Sequence, residues 1–292
     1  MKNLFFAILA VLLCFSVSHA SGWERTLDFN LTLTQNSYSD SWVGGEAGSV
    51  SWMGNSNFKA AKQLSPKVNW SNTLKLAFGQ THQQEQETKN WRKPFKSTDL
   101  IDGESIARLT LGAFADPYVA FRAISQFLDA SVPEVKRYVN PITLSESAGA
   151  SKLLHKTETT ELLSRLGFGL RQVINREIVD TLSQKTETQT TNDGGFEWVT
   201  DFKTSLEKGK VSYSTKLTLF KAMFYSESDE LEGTPEQDYW KSVDVNWENI
   251  LSASIAKYLT VNLYVQFLYD KEIDLKGRLK ETLALGLTYR LF

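Results

Sequence analysis

Alternation of apolar and polar residues is the dominant pattern in this chain. In residues 27–34, leucine and phenylalanine alternate with aspartate, asparagine and threonine. The same period of two returns in residues 70–78, 196–203, 212–219, 243–252, 259–267 and 282–290. This period is typical of a β-strand with one apolar and one polar face. Helical periodicity is almost absent, so the sequence predicts an all-β protein.

Weaker runs complete a set of twelve predicted strands. Their approximate bounds are 25–36, 49–63, 68–82, 99–113, 118–129, 159–172, 177–184, 195–206, 211–225, 239–255, 260–269 and 279–291. Short links at 64–67, 114–117, 173–176, 207–210 and 256–259 alternate with long polar segments at 81–98, 130–158, 186–194 and 226–238. Such alternation predicts an antiparallel up-and-down barrel with one short-turn rim and one long-loop rim.

The apolar faces of the predicted strands need a cover. A soluble sandwich or lipocalin-like barrel would bury them in a core, but every predicted strand has such a face and no second sheet is left to pack on it. Lipid is the simplest cover, so we predict a transmembrane β-barrel. Aromatic residues near strand ends on the apolar face fit the membrane interfaces, namely Trp52, Trp70, Trp198, Trp247, Tyr258 and Tyr289.

The first twenty residues have the order of a secretory signal peptide. Lys2 precedes an apolar run over residues 4–17, and small residues lead to cleavage after Ala20. We expect residues 1–20 to be removed and residues 21–292 to form one barrel domain in a bacterial outer membrane. Cys14, the single cysteine, lies in this leader, so the mature chain is expected to have no disulfide and no thiolate chemistry.

Charge narrows the functional classes. Lys and Arg number 32 against 34 for Asp and Glu, so the strongly basic face of a nucleic-acid binder is not expected. An Arg or Lys facing lipid near the midplane costs about 2–4 kcal/mol, so charged residues on the polar strand faces are predicted to line the lumen. They are Asp28, Lys59, Lys75, Glu104, Arg108, Arg122, Arg165, Arg171, Glu197, Asp201, Lys203, Lys216, Asp244 and Glu248.

The mixed signs of these charges leave two interpretations open. In the first, they line a narrow channel or transport-related barrel for small solutes. In the second, they pair and fill the lumen, giving a non-conducting structural or docking barrel that acts through its long extracellular loops.

Catalytic chemistry is sparsely represented. The mature chain has two histidines, His82 and His155, which the predicted strands place at long-loop ends. Neither belongs to the His-x-Ser arrangement of outer-membrane phospholipases. We therefore expect no catalytic residues, no cofactor and no metal site, and a lipid-modifying enzyme is the least favoured interpretation.

Residues 31–80 carry a more specific signal. A strand ends in glutamine, a Trp-x-Gly-Gly-Glu loop follows, and the next strands contain Trp-x-Asn with a glycine several residues on. These positions are Gln35, Trp42, Gly44, Gly45, Glu46, Trp70, Asn72 and Gly79. The block resembles the amino-terminal part of a Bacteroidota-type outer-membrane β-barrel family, domain of unknown function 3078. The resemblance implies a barrel and no particular activity.

The expected partners are outer-membrane lipid, a small solute and the barrel-assembly machinery. The chain ends in Phe292, and a terminal aromatic residue on an alternating strand is similar to the signal read by that machinery. Leu291 continues the apolar face of the last strand, so Phe292 is one step out of phase. The oligomeric state stays open.

Overall fold

The strands of the barrel follow one another in chain order in the computed structural model, which describes residues 22–39, 47–132 and 134–290. They are β1 (Glu24–Asn36), β2 (Ser49–Ser65), β3 (Val68–Gln83), β4 (Phe95–Leu109), β5 (Asp116–Ser125), β6 (Leu128–Asp129), β7 (Arg137–Tyr138), β8 (Ile142–Lys156), β9 (Thr160–Asp180), β10 (Lys185–Leu206), β11 (Val211–Tyr225), β12 (Val243–Ala256), β13 (Leu259–Tyr269) and β14 (Arg278–Arg290). In these residues no helix is long and apolar enough to cross a membrane.

Twelve of these strands close into an antiparallel barrel in which each strand pairs with its neighbours in the chain. Closure is made by β1 and β14, with Phe29 opposite Tyr289 and Leu31 opposite Leu287. The two remaining strands, β6 and β7, form a separate hairpin between β5 and β8. Closure leaves no open sheet edge in the barrel wall, as a membrane-spanning sheet requires.

The two rims differ in their connections. Turns at 66–67, 110–115, 157–159, 207–210 and 257–258 form the short-turn rim. The long-loop rim lies at the other ends of the strands, and its described connections are 37–39 with 47–48, 84–94, 126–132 with 134–141, 181–184, 226–242 and 270–277. Strands β9 and β10 extend beyond their other neighbours at this rim, because β8 pairs with β9 no further than Ile174 and β11 pairs with β10 no further than Asp193.

The predicted antiparallel up-and-down barrel of twelve strands is confirmed, but its middle section differs from the prediction. The strand at 177–184, the link at 173–176 and the loop at 186–194 are wrong, because β9 and β10 run through these residues. Strand β8 lies inside the segment 130–158 that was predicted to be a loop. The prediction contains one extra strand, at 177–184, and lacks β8, so the predicted number of strands is still twelve.

The outer surface of the barrel is an apolar belt. Leu166 is 60% exposed, Leu283 is 71% exposed and Leu287 is 60% exposed, and similar residues continue around the wall. A water-soluble protein rarely leaves such a contiguous apolar surface open. A barrel in a bilayer presents this surface to the acyl chains, so the belt defines the fold as a transmembrane barrel.

Tryptophans in the belt satisfy their indole N–H groups inside the wall. Each Nε1 donates to a hydroxyl of the neighbouring strand, in the pairs Trp70 to Ser105 (2.9 Å), Trp198 to Ser164 (2.8 Å) and Trp247 to Thr215 (2.9 Å). An unpaired N–H in hydrocarbon would cost several kcal/mol. The short hydroxyl residues on this otherwise apolar face are therefore explained by their tryptophan partners.

Candidate functional site in the lumen

Ion pairs join at least nine of the fourteen charged residues that the sequence places on the polar strand faces. The most informative pair is Glu104 with Lys216, whose Oε2 and Nζ atoms are 2.9 Å apart. Glu104 is on β4 and Lys216 is on β11, and the shorter way around the wall between them passes four other strands. The contact therefore crosses the interior of the barrel.

Further contacts extend this crossing. The other carboxylate oxygen of Glu104 accepts a hydrogen bond from Arg165 Nη2 on β9 at 3.0 Å. Lys75 Nζ on β3 lies 3.1 Å from Glu248 Oε2 on β12, again with four strands between them around the wall. The lumen is thus bridged in two directions.

Further contacts extend each of the two bridges. Arg122 makes a bidentate pair with Asp102, with both N–O distances at 2.9 Å. Arg122 lies 3.9 Å from Glu248, and Lys75 lies 3.9 Å from Asp102. On the other bridge, Arg165 lies 3.8 Å from Asp201. The two bridges and their extensions are two ion-pair groups, which we call together the crossing network: Lys75, Asp102, Arg122 and Glu248 in one group, and Glu104, Arg165, Asp201 and Lys216 in the other.

The crossing network has four cations and four anions, so it is neutral. The Arg165 side chain is 2% exposed, that of Asp102 is 7% exposed and that of Arg122 is 16% exposed. Charges this far from water are retained when each has an opposite charge at hydrogen-bond distance. The network therefore acts as a cross-brace, and its long side chains occupy the middle of the lumen.

A second ionic cluster lies nearer the long-loop rim. Arg171 on β9 donates from Nη2 to Asp193 at 2.5 Å and from Nη1 to Asp244 at 2.8 Å. Its guanidinium also lies 3.8 Å from the centre of the Phe220 ring, a cation–π contact. The sequence does not predict Asp193 as a site residue, because the predicted loop at 186–194 includes it.

A cavity of about 490 Å³ lies on the long-loop side of the crossing network. Asp102, Glu104, Arg122, Lys216 and Glu248 contribute to its lining and form its floor. We call this cavity the vestibule. Its upper wall includes residues that the sequence did not indicate: Leu100, Ile124, Phe220, Leu268, Ile273, Arg278 and Lys280.

The other five predicted lumen residues lie outside the crossing network and the Arg171 cluster. Asp28 lies on β1, with Asn57 and Arg290 opposite it in register, and takes part in other interactions. The others are Lys59 on β2, Arg108 on β4, and Glu197 and Lys203 on β10. Lys59, Arg108 and Lys203 lie in the halves of their strands that end at the short-turn rim.

The described family-motif residues lie on β1 and β3. Trp70 and Asn72 lie on β3, Gln35 is near the end of β1, and Trp42, Gly44, Gly45 and Glu46 fall outside the described residues. Gly79 on β3 has the Trp52 carbonyl oxygen 2.9 Å from where a Cβ would lie. A side chain at Gly79 would therefore press against the backbone of β2.

The two histidines do not form a joint site. His82 lies at the long-loop end of β3, as expected, whereas His155 lies at the short-turn end of β8. The expectation for His155 was wrong because β8 was not predicted. In residues 22–39, 47–132 and 134–290, no group of three or more His, Cys, Asp or Glu residues is placed to hold a metal ion.

Electrostatics at the mouth of the vestibule involve Glu272 in the β13–β14 loop. Desolvation and the carboxylates of Asp270 and Asp244 raise the pKa of Glu272 to about 7. Because the pKa is raised, this carboxyl group holds its proton at pH values where an ordinary glutamate is ionised. The net charge at the mouth of the vestibule is therefore less negative near neutral pH than it would be with Glu272 fully ionised.

The connection between β5 and β8 is held by a buried polar cluster. Asn140 is 1% exposed and donates to Asp129 Oδ2 and Asn175 Oδ1, both at 2.9 Å. The Asp99 carboxylate accepts the backbone N–H groups of Phe127 and Leu128 at 2.7 and 2.9 Å. These bonds fix the segment 126–141 against the long-loop rim.

Residues 33–130 match the profile of the family DUF3078, described as a protein of unknown function. This match confirms the resemblance seen in the motif of residues 35–79. Among curated proteins, none matches this chain.

Solved barrels provide structural likenesses. The translocator domain of the autotransporter NalP from Neisseria meningitidis is 8% identical, with a TM-score of 0.38, over 99% of this chain and 95% of that chain. An outer membrane channel from Pseudomonas putida F1 is 12% identical, with a TM-score of 0.41, over 94% of this chain and 98% of that chain. Identities this low concern the barrel architecture alone.

Proposed function

We propose that this protein is an outer-membrane barrel whose narrow lumen passes small solutes and is held closed by the crossing network. The observation that carries the proposal is the pair of interior bridges, Glu104 to Lys216 and Lys75 to Glu248. They connect opposite sides of the wall, so a solute in the lumen meets them before it can pass.

Several features support the outer-membrane location. The belt needs lipid, and a closed barrel is the form in which β-strands span a membrane. The predicted leader would export the chain. The fourteen charged residues on the polar strand faces are then lumen residues, where they avoid the cost of facing acyl chains.

The size of the barrel supports a closed but openable path. An eight-stranded barrel is filled by its own side chains, whereas sixteen strands leave an open channel. Twelve strands lie between these limits, and here the added space is divided into the vestibule and the network below it. Loss of the bridges would join the vestibule to the short-turn side.

Planar-bilayer conductance tests the proposal. We expect the wild-type barrel to be mostly closed and Glu104→Gln to give steady openings, because glutamine loses the charge that holds Arg165 and Lys216. Glu197→Gln is the matched control, since it removes a carboxylate on β10 for which no ion pair is found in the described chain. We expect this control to stay as closed as the wild type.

A non-conducting docking barrel is the second candidate, and the fixed segment 126–141 and the protruding β9–β10 hairpin favour it. Silence of the wild type, Glu104→Gln and a further Lys75→Gln variant, all shown to be folded, would contradict the channel and support docking. Equal steady conductance in the wild type and Glu104→Gln would show that the network does not close the lumen.

A further inference from the structure

We propose that the vestibule binds a small organic anion with an apolar body, of the aromatic carboxylate class. This inference rests on the proposed function and deepens it by naming a solute class. It is carried by two cations without counter-ions, by an apolar wall and by the volume of the cavity.

The two cations are Arg278 and Lys280, which lie two residues apart on β14 and both line the vestibule. No ion pair within 4.0 Å is found for either among the described residues, whereas the network cations and Arg171 all have acidic partners. The Nε atom of Arg278 is buried and has no hydrogen-bond partner. A bound carboxylate would supply both the missing charge and the missing acceptor.

Part of the vestibule wall is apolar, although threonine, serine, asparagine and glutamine side chains also line it. Leu100, Ile124 and Leu268 line the vestibule beside the Phe220 ring, and Ile273 lines it from the β13–β14 loop. Apolar side chains with a few convergent polar groups are the usual lining of a small-molecule site, and the volume of about 490 Å³ lies within the range for such sites. A charged ligand without an apolar part would make no apolar contacts with these side chains.

The acidic groups of the vestibule do not reverse this preference. Asp244 is engaged by Arg171 at 2.8 Å, and the floor carboxylates Asp102, Glu104 and Glu248 are engaged by the crossing network. Glu272, with its pKa of about 7, is partly protonated at neutral pH. Glu197 and Asp270 also line the vestibule, so we expect the carboxylate of a ligand to avoid them and to lie on the β14 side, next to the two cations.

Titration calorimetry on the refolded full chain in non-ionic detergent tests the inference with three probes. Benzoate has both charge and an apolar body, acetate has the charge alone, and benzyl alcohol has the body alone. We expect saturable binding of benzoate. The affinity for acetate and for benzyl alcohol should be lower by about tenfold or more. In the double variant Arg278→Gln/Lys280→Gln, the dissociation constant for benzoate should increase about tenfold or more.

The control is Lys276→Gln, which removes a cation in the β13–β14 loop that does not line the vestibule. It should bind benzoate like the wild type. If the double variant does not fold, Lys280→Gln alone serves, since Lys280 is exposed to the cavity. No benzoate binding, equal binding of acetate or benzyl alcohol, or unchanged binding in a folded variant would overturn the inference.

The two proposals can fail separately, because binding is measured with the lumen closed. Benzoate binding without conductance in any variant would contradict the channel and leave the vestibule site standing. Conductance that follows Glu104→Gln without benzoate binding would contradict the site alone.

Discussion

Replacing Gly167 with valine is expected to prevent formation of the barrel. Gly167 on β9 lies directly opposite Gly149 on β8. A Cβ at Gly167 would lie 2.5 Å from the Ala148 carbonyl oxygen and 2.6 Å from the Tyr118 hydroxyl oxygen. The carbonyl belongs to the ladder between β8 and β9, so it cannot move aside without breaking strand pairing.

The packing around this glycine pair explains the size of the effect. Tyr118 is 3% exposed, and its ring lies 5.5 Å from the Arg165 guanidinium, which joins it to the crossing network. Overpacking a tight site costs about 1–3 kcal/mol, and backbone displacement costs more. Valine, with two further methyl groups, therefore disturbs the wall and the network together.

Heat-modifiable gel migration and protease resistance after refolding measure the outcome. The control is Gly54→Val on β2, where a Cβ has open space with nothing within 4 Å. We expect Gly54→Val to give the compact band of the wild type and Gly167→Val to give only the unfolded band. A normal compact band for Gly167→Val would show that the glycine pair is not needed.

Loss of the Arg165 charge is expected to be the second large effect. Arg165→Met keeps much of the side-chain volume but removes the cation paired with Asp201 and one of the two cations paired with Glu104, which keeps Lys216. Breaking a buried ion pair by removing one member costs about 3–5 kcal/mol, because the remaining charge is left without compensation. We expect a decrease in the free energy of unfolding of about 3 kcal/mol.

Urea unfolding in lipid vesicles, followed by tryptophan fluorescence, measures this free energy. The matched control is Arg92→Met, which breaks the ion pair to Glu85 in the β3–β4 loop, where the side chains are 65% and 41% exposed. Exposed pairs contribute less than about 1 kcal/mol. An equal decrease in the free energy of unfolding for Arg165→Met and Arg92→Met would contradict the stabilising role of Arg165.

The barrel could be predicted from the sequence because a membrane imposes one simple requirement on strands. Their outer residues must be apolar, and the period of two is then visible along the chain. The prediction fails at β8, where the pattern is weak because Ala148 and Ala150 on one face alternate with Ser147 and Gly149 on the other. It also fails in residues 175–190, where β9 and β10 extend past their other neighbours and polar residues predominate, with Ile178 and Val179 adjacent rather than alternating.

The alternation of side chains along a strand shows which residues face the lumen, but it does not show which of these residues contact one another. Glu104 and Lys216 are 112 positions apart, and their contact depends on how the closed wall brings β4 and β11 to face each other. Lys280 had a visible signal, since it shares the face of Thr282 and Thr288. Leu100 and Ile124 had none, because apolar residues were assigned to the outer face.

Cross-linking across the lumen tests the central claim most directly. Cysteines would replace Glu104 and Lys216, and a short bifunctional thiol reagent would be added to the refolded chain. The control pair replaces Ser105 and Leu217, the next residues on the same two strands, which point to the outer face. We predict efficient intramolecular linkage for positions 104 and 216 and none for positions 105 and 217. A positive control replaces Lys216 and Glu248, which lie opposite each other on the adjacent strands β11 and β12, with cysteine. Cross-linking of the outer pair would contradict a network that crosses the barrel. Absence of cross-linking between positions 104 and 216, while the positive control is cross-linked, would contradict it as well.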